Sequence, residues 1–301
     1  MGSDVTIVIM TRNRVDDLRA MLTRLVDLPT APPILVMDNG SSDGTVLAVR
    51  RDFPGVDVVP LGFNAGVAAR NEGVRRAGTP YVAFADDDSW WAPDALEQVT
   101  AAFDRLPRLG AVIAHVTIEP AGVDDPVSRM LRDSPLDLDP ELPGIPVLGF
   151  LACAAAVRRR AFLEVGGFDE RLHFAGEEAL LAIDLAKNGW AVRYLPEVRV
   201  HHRPATQRAP SVWRQRRELR NALWTLWLRR PAGPAWRGSK RLLAVEPRRT
   251  AMGGLMQALG GLPWVLRDRE VVPPHLEEQL RRLDDDASDH GARTDTEAVN
   301  R

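Results

Sequence analysis

The chain has 301 residues, enough for one large domain or two small ones around a sizeable core. Its 39 basic and 41 acidic residues nearly cancel to a net charge of −2, so it lacks the basic field of a nucleic-acid binder. A single cysteine, Cys153, excludes an intramolecular disulfide framework and a cysteine-cluster metal site, and fits a reducing cytosol.

Residues 5–10 are a β-branched run that ends in the polar loop Thr11-Arg12-Asn13-Arg14. From residue 17 to 28, Leu18, Met21, Leu22 and Leu25 recur at helical spacing. Residues 34–37 predict a second strand, closed by the turn cluster Asp38-Asn39-Gly40-Ser41-Ser42-Asp43-Gly44. A short helix over 45–51, a strand over 56–59, a helix over 66–77 and a strand over 81–84 follow, the last ending at Asp86-Asp87-Asp88. This alternation predicts an α/β fold with a mainly parallel twisted sheet and helices on both faces. Ligands of such sheets bind beyond the carboxyl ends of the strands, where the clusters at Thr11, Asp38 and Asp86 all fall.

Residues 120–146 are rich in Pro and Asp and predict a loop or lid with little regular structure. Residues 150–157 predict a strand, and 176–188 a helix whose first turn is acidic, with Gly189 as its cap. Residues 191–195 and 198–201 predict extended chain. Beyond His202 the chain turns basic, with Arg203, Arg208, Arg214, Arg216, Arg217, Arg220, Arg229 and Arg230 interleaved with Trp213, Leu223, Trp224, Leu226, Trp227 and Leu228. The expected organisation is a catalytic domain over 1–205, divided near residue 88, then a helical extension over 206–283 and a disordered acidic tail over 284–301.

Three adjacent carboxylates at a strand end repel one another, and a divalent cation with oxygen ligands offsets that cost. On an extended chain Asp86 and Asp88 lie on one side. They either share an ion or divide between an ion and a ribose hydroxyl; the plainer alternative is a solvated turn or helix cap. Asp38 is placed to accept from a nucleobase or ribose, or simply closes an Asx-turn. Asn64 and Gly66, with Arg70 behind them, open a helix whose N–H groups suit a phosphate, or form an ordinary turn. Glu177 and Glu178 at a helix start are candidates for a general base, or compensate the helix dipole. His201 and His202 offer imidazole to a borderline metal, or are ordinary histidines.

The order of these motifs is more specific than any one of them. Thr11 to Arg14, Asp38 to Thr45, Asn64-x-Gly66 with Arg70-Asn71, and Asp86-Asp87-Asp88 resemble the nucleotide-sugar half of family 2 glycosyltransferases of GT-A fold. Gly166-Gly167-Phe168-Asp169-Glu170, Gly176-Glu177-Glu178 and the segment from Pro196 to His201 resemble its acceptor half, so the likeness covers about residues 4–203. It implies an inverting transfer from a UDP-, GDP- or dTDP-sugar to an acceptor hydroxyl on a glycan or lipid-linked molecule, dependent on Mn²⁺ or Mg²⁺. It implies that Thr11, Arg14, Asp38, Asn64, Gly66, Arg70, Asp86 and Asp87 serve the nucleotide sugar. It implies that Asp88, Asp86 and His201 hold the metal. Glu178 stands where the family usually has an aspartate base after a glutamate; the extra methylene leaves the base to be chosen between Glu177 and Glu178, with Glu178 preferred.

The Trp- and Arg-rich stretch over 213–230 predicts a helix packed on the core through its Trp face; contact with a membrane surface or an anionic acceptor is the alternative. No run of 18 apolar residues and no basic leader occur, so the expected location is cytoplasmic, at the inner face of the membrane if that stretch touches it. Two rivals stand beside the transferase: a non-catalytic nucleotide-sugar-binding protein, and a sugar nucleotidyltransferase, which would carry a glycine-rich loop where Thr11 to Arg14 stand.

Overall fold

The structure, a computed structural model, describes residues 3–204 and 211–299. Arg208 and the expected domain boundary near 205 lie outside the described residues.

The elements run β1 (Val5–Thr11), α1 (Val15–Val26), β2 (Ile34–Asp38), α2 (Thr45–Asp52), β3 (Asp57–Pro60), a 3-10 turn at Gly66–Ala68, α3 (Ala69–Arg76) and β4 (Tyr81–Asp86). Then come β5 (Ser89–Trp91), α4 (Ala95–Arg105), β6 (Leu109–Ile118), β7 (Val123–Asp124), α5 (Pro126–Arg132) and β8 (Ile145–Pro146). A 3-10 turn at Ala152–Ala154 leads into β9 (Ala155–Arg158), α6 (Arg159–Glu164), α7 (Glu177–Lys187) and β10 (Ala191–His202). Helices α8 (Val212–Arg229), α9 (Ala232–Val245), α10 (Arg248–Gly260), α11 (Leu262–Arg267) and α12 (Pro274–Val299) complete the chain.

One sheet runs in the order β3-β2-β1-β4-β9-β6-β10-β5, with β7 on β6 and β8 on β10. The first half is parallel as expected, and β6 pairs β10 in parallel. The sheet as a whole is mixed, because β9 inserts antiparallel between β4 and β6, and β5, β7 and β8 also pair antiparallel.

Both faces of the sheet are buried, which is why its strands read as continuous apolar runs. Ile7 and Ile9 of β1 and Ala83 and Ala85 of β4 pack with Leu18, Leu22 and Leu25 of α1 and Val99 and Phe103 of α4. Val8 of β1 and Val82 and Phe84 of β4 pack on the other face with Val74 of α3 and Leu181 and Leu185 of α7. The C-terminal helices join through Leu219, Leu223, Trp224 and Leu228 of α8, which pack on Leu172 and on Leu180 of α7.

Two expectations are corrected. The 120–146 segment contains α5, which starts at Pro126 with the Asp125 carboxylate accepting from the Val127 N–H at 2.8 Å. Proline there opens a helix rather than breaking one, since its missing N–H is an unused donor in the first turn. The 284–301 tail was expected to be disordered, but α12 continues to Val299. Leu276 and Leu280, one helical turn apart, anchor its start on Ile183 and Val272. No proline interrupts the helix after Pro274.

Candidate active site

Strand register assembles the site. Thr11, the last residue of β1, pairs with Asp38, the last of β2, and Met10 pairs with Asp86, the last of β4. The carboxylates expected at separate strand ends therefore share one edge. Beyond it lies a cavity of about 650 Å³ whose lining includes Thr11, Arg14, Asn64, Gly66, Arg70, Asp86, Asp87, Asp88, Glu177, Glu178 and His202. Asp38 is buried just behind it, its carboxylate accepting from the Ser41 N–H at 3.1 Å.

The three aspartates have separate environments. Asp86 is paired with Arg70, whose side chain is 3 % exposed. Asp87 is buried and accepts from the Thr11 hydroxyl at 2.9 Å and from Arg14 at 2.8 Å. Burial pushes it up to about 7 even so, against the pull of Arg14 and Thr11. Burial also works against the Asp88 carboxylate, but His202 at 3.3 Å and Arg14 at 3.0 Å outweigh it and hold its pKa below the ordinary value. His202 responds in kind: burial lowers its pKa, Asp88 raises it, and the net shift is upward.

His202, not His201, faces the aspartates. Adjacent residues of a strand point to opposite sides. The His201 ring stacks on Trp90 at 5.2 Å, and its Nδ1 meets Glu119 at 2.9 Å, away from the cavity. The sequence carried the signal: Val198 and Val200 alternate with Arg199, and His202 keeps step with the two valines, which are fully buried.

Gly66 lines the cavity and also has a part in holding the turn. Its φ is +62°, and a Cβ there would stand 2.1 Å from the His173 carbonyl oxygen, so the close approach it permits is to protein backbone. The His173 carbonyl also accepts from the Val67 N–H at 2.8 Å. Asn64 caps the turn, accepting from the Gly66 N–H at 3.0 Å. Asn39, buried and read in the sequence only as part of a turn cluster, grips the same turn by donating to the Gly66 carbonyl at 3.1 Å and accepting from the Ala65 N–H at 3.1 Å. Gly66→Ala is expected to cost more than about 2 kcal/mol of stability, measured by chemical denaturation.

Glu177 and Glu178 begin α7 at the cavity wall. Glu177 is 4 % exposed and its Oε2 has no hydrogen-bond partner. Burial, then the neighbouring Glu178 charge, pushes it up to about 8, although Arg70 pulls the other way. Glu178 is half-buried and raised by burial, with the Ala152 N–H and Arg70 opposing. The Glu177 shift makes a stability prediction. A carboxyl with a raised folded pKa binds its proton more tightly when folded, so stability falls as pH rises from about 4.5 to about 8. Glu177→Gln removes that dependence: its stability relative to wild type should rise between pH 5 and pH 9 in parallel denaturation curves. A constant difference would contradict a protonated Glu177.

A divalent cation fits the residues present. Among the described residues no three His, Cys, Asp or Glu side chains form a ready-made cluster, so protein alone does not cage an ion. Asp88 Oδ1 and His202 Nε2 are 3.3 Å apart. Adjacent ligands on an octahedral ion with bonds of about 2.1 Å stand about 3 Å apart. One carboxylate and one imidazole, completed by substrate phosphates and water, is a donor set that Mn²⁺ accepts.

A cationic group lies beside His173, behind the cavity wall on the α8 side. Arg217 lies over the Trp213 ring at 4.3 Å, and Arg220 donates to the Leu172 carbonyl at 3.0 Å. Neither has a carboxylate partner among the described residues. Burial and then Arg217 push Arg220 down to about 10. His173, at the cavity wall, is lowered by burial and then by Arg217, Arg220 and Arg12. The Trp- and Arg-rich stretch is one helix, as expected, but its tryptophans do not share one buried face. Trp224 is buried edge-on to Trp264 at 5.0 Å, whereas Trp213 is 56 % exposed.

A mixed sheet flanked by helices, followed by further C-terminal helices, is the GT-A fold of glycosyltransferases. The sequence profile of Glycosyl transferase family 2 matches residues 6–166, and the chain belongs to that family; its enzyme class is glycosyltransferase. It is 31% identical over 227 residues to the N-acetylglucosaminyl-diphospho-decaprenol L-rhamnosyltransferase of Mycobacterium tuberculosis, covering 62% of this chain and 72% of that one. It is 33% identical over 214 residues to the pre-mycofactocin glycosyltransferase of the same organism, covering 68% of this chain and 43% of that one. Its fold resembles the mannosyltransferase PcManGT of Pyrobaculum calidifontis, solved with GDP-Man and Mn²⁺, at a TM-score of 0.58 and 18% identity, covering 94% and 86% of the two chains.

Proposed function

We propose that this chain transfers a sugar, with inversion, from a nucleoside diphosphate to a hydroxyl of a lipid-linked or glycan acceptor at the inner face of a membrane. The observation that carries the reading is the convergence of Asp38, Asp86, Asp88, His202 and Glu178 on one strand edge and its cavity. Asp38 accepts from the base and Asp86 from the ribose. Asp88 and His202 would hold Mn²⁺ or Mg²⁺. That cation, when bound, neutralises the leaving diphosphate as a Lewis acid. Arg14 and Arg70 keep the acidic edge compact until donor arrives. Glu178 takes the proton of the acceptor hydroxyl as it attacks the anomeric carbon, and a single direct displacement inverts that centre.

The acceptor side rests on Arg12, Arg217 and Arg220, gathered near His173; the unbalanced positive charge of these arginines suits an anionic acceptor. The M. tuberculosis rhamnosyltransferase is named for a diphospho-decaprenol acceptor, which supports the same class here. Among the described residues no helix is long and apolar enough to cross a membrane. Exposed Trp213 on α8 and Met252 and Met256 on α10 give the C-terminal helices an apolar surface for peripheral contact.

The test is proton NMR of the chain with UDP-, GDP- and dTDP-sugars, Mn²⁺ and a polyprenyl-diphosphate sugar. A glycoside of opposite anomeric configuration to the donor is the expected product. Retained configuration would overturn the mechanism. Pyrophosphate release from a nucleoside triphosphate and a sugar phosphate would replace it with nucleotidyl transfer.

A further inference from the structure

A second cavity, of about 360 Å³, opens at the other end of β10. Arg193 stands near the start of that strand and His202 at its end, nine residues or about 30 Å apart along the chain. The volume is within the range of small-molecule sites. Leu136, Leu142, Val147 and Leu276 supply apolar wall.

The polar groups of this cavity are unusual. The Arg193 side chain is 6 % exposed, and its one carboxylate contact among the described residues is Asp139, at 3.6 Å from Nη2. Its Nε and Nη1 have no hydrogen-bond partner, and neither has the indole Nε1 of Trp190, which lines the same cavity. Buried donors are almost always paired, and a guanidinium cannot shed its charge to escape the cost. Three unmatched nitrogens, with four N–H groups between them, on two side chains that line one cavity ask for a group that only accepts. Burial lowers the Arg193 pKa, with Asp139 opposing, so added negative charge would relieve it.

We propose that this cavity binds a small apolar carboxylate, its oxygens accepting from Arg193 and Trp190 and its hydrocarbon part lying against the leucine and valine wall. The guanidinium fork matches a carboxylate in shape. Asp139 and Glu141 line the same cavity, as do Arg108 and His275, so its charges nearly balance, and the apolar wall favours a carboxylate with a hydrocarbon part over inorganic phosphate, which would leave that wall uncovered. Bound there, the ligand joins the start of β10 to the 136–148 segment and to α12. The site is separate from the donor crevice and stands whether or not the transfer mechanism does.

The experiment follows the Trp190 indole N–H resonance of the full ¹⁵N-labelled chain, assigned with Trp190→Phe. The probes are hexanoate and phenylacetate, their uncharged amides, and inorganic phosphate. The carboxylates should shift the resonance saturably. The amides should bind at least tenfold more weakly, as should the carboxylates to Arg193→Gln, while nucleotide binding in the crevice is unchanged. The amide comparison uses wild type, so it holds even where Arg193→Gln fails to fold. Absence of any shift with the carboxylates, equal shifts with the amides, or tighter binding of phosphate would each overturn the proposal.

Discussion

Glu178→Gln is expected to lower kcat by about 10² to 10⁴-fold, the range for losing a general base, with nucleotide affinity unchanged. The substitution keeps size and removes only the capacity to accept a proton. Glu177→Gln is expected to stay within about tenfold of wild type. The contrast follows from environment. Glu177 is buried with an unpartnered oxygen, and burial and then the Glu178 charge raise its pKa, which favours the protonated form that cannot accept a proton. Glu178 is half-buried at the cavity wall, and its pKa is raised by burial from 4.5. The acid limb of kcat/KM should therefore rise through a midpoint above 4.5 and vanish in Glu178→Gln. Steady-state kinetics on both variants decides it, and the reverse ranking would move the base to Glu177.

His202→Ala is expected to weaken Mn²⁺-dependent donor binding by at least about 10 to 100-fold, while His201→Ala leaves it unchanged. The two residues are neighbours of the same type, so composition and helix or strand propensity treat them alike. Their sides of β10 do not. His202 meets Asp88 at 3.3 Å, whereas His201 stacks on Trp90 and bonds Glu119. Calorimetric titration of Mn²⁺ in the presence of nucleotide separates them. Asp88→Ala should behave as His202→Ala does if, as proposed, the two hold the metal together. Equal losses in His201→Ala and His202→Ala would contradict the assignment.

The parts of the site written into strand ends were legible in the sequence. Asp38 and Asp86 close apolar runs whose parallel pairing is fixed by burial on both faces, so their placement on one edge, either side of β1, follows from the pattern. Parity along β10 was also legible and would have selected His202 over His201. What the sequence hides is long-range. Nothing near Gly66 announces that the His173 carbonyl lies against it, and nothing near Asn39 tells that its amide holds a turn 26 residues on. The antiparallel insertion of β9 is likewise a tertiary choice, since its alanine-rich run fits either direction. Helix α5 was missed because Pro126 reads as a breaker until its position in the first turn is known.

The most direct measurement is calorimetric binding of UDP, GDP and dTDP, with and without Mn²⁺, to wild type and to Asp88→Ala. Metal-dependent binding of one nucleotide, lost in Asp88→Ala, is the predicted result and would name the donor class. Binding of none of the three under either condition would contradict the donor site at the carboxyl edge of β1, β2 and β4.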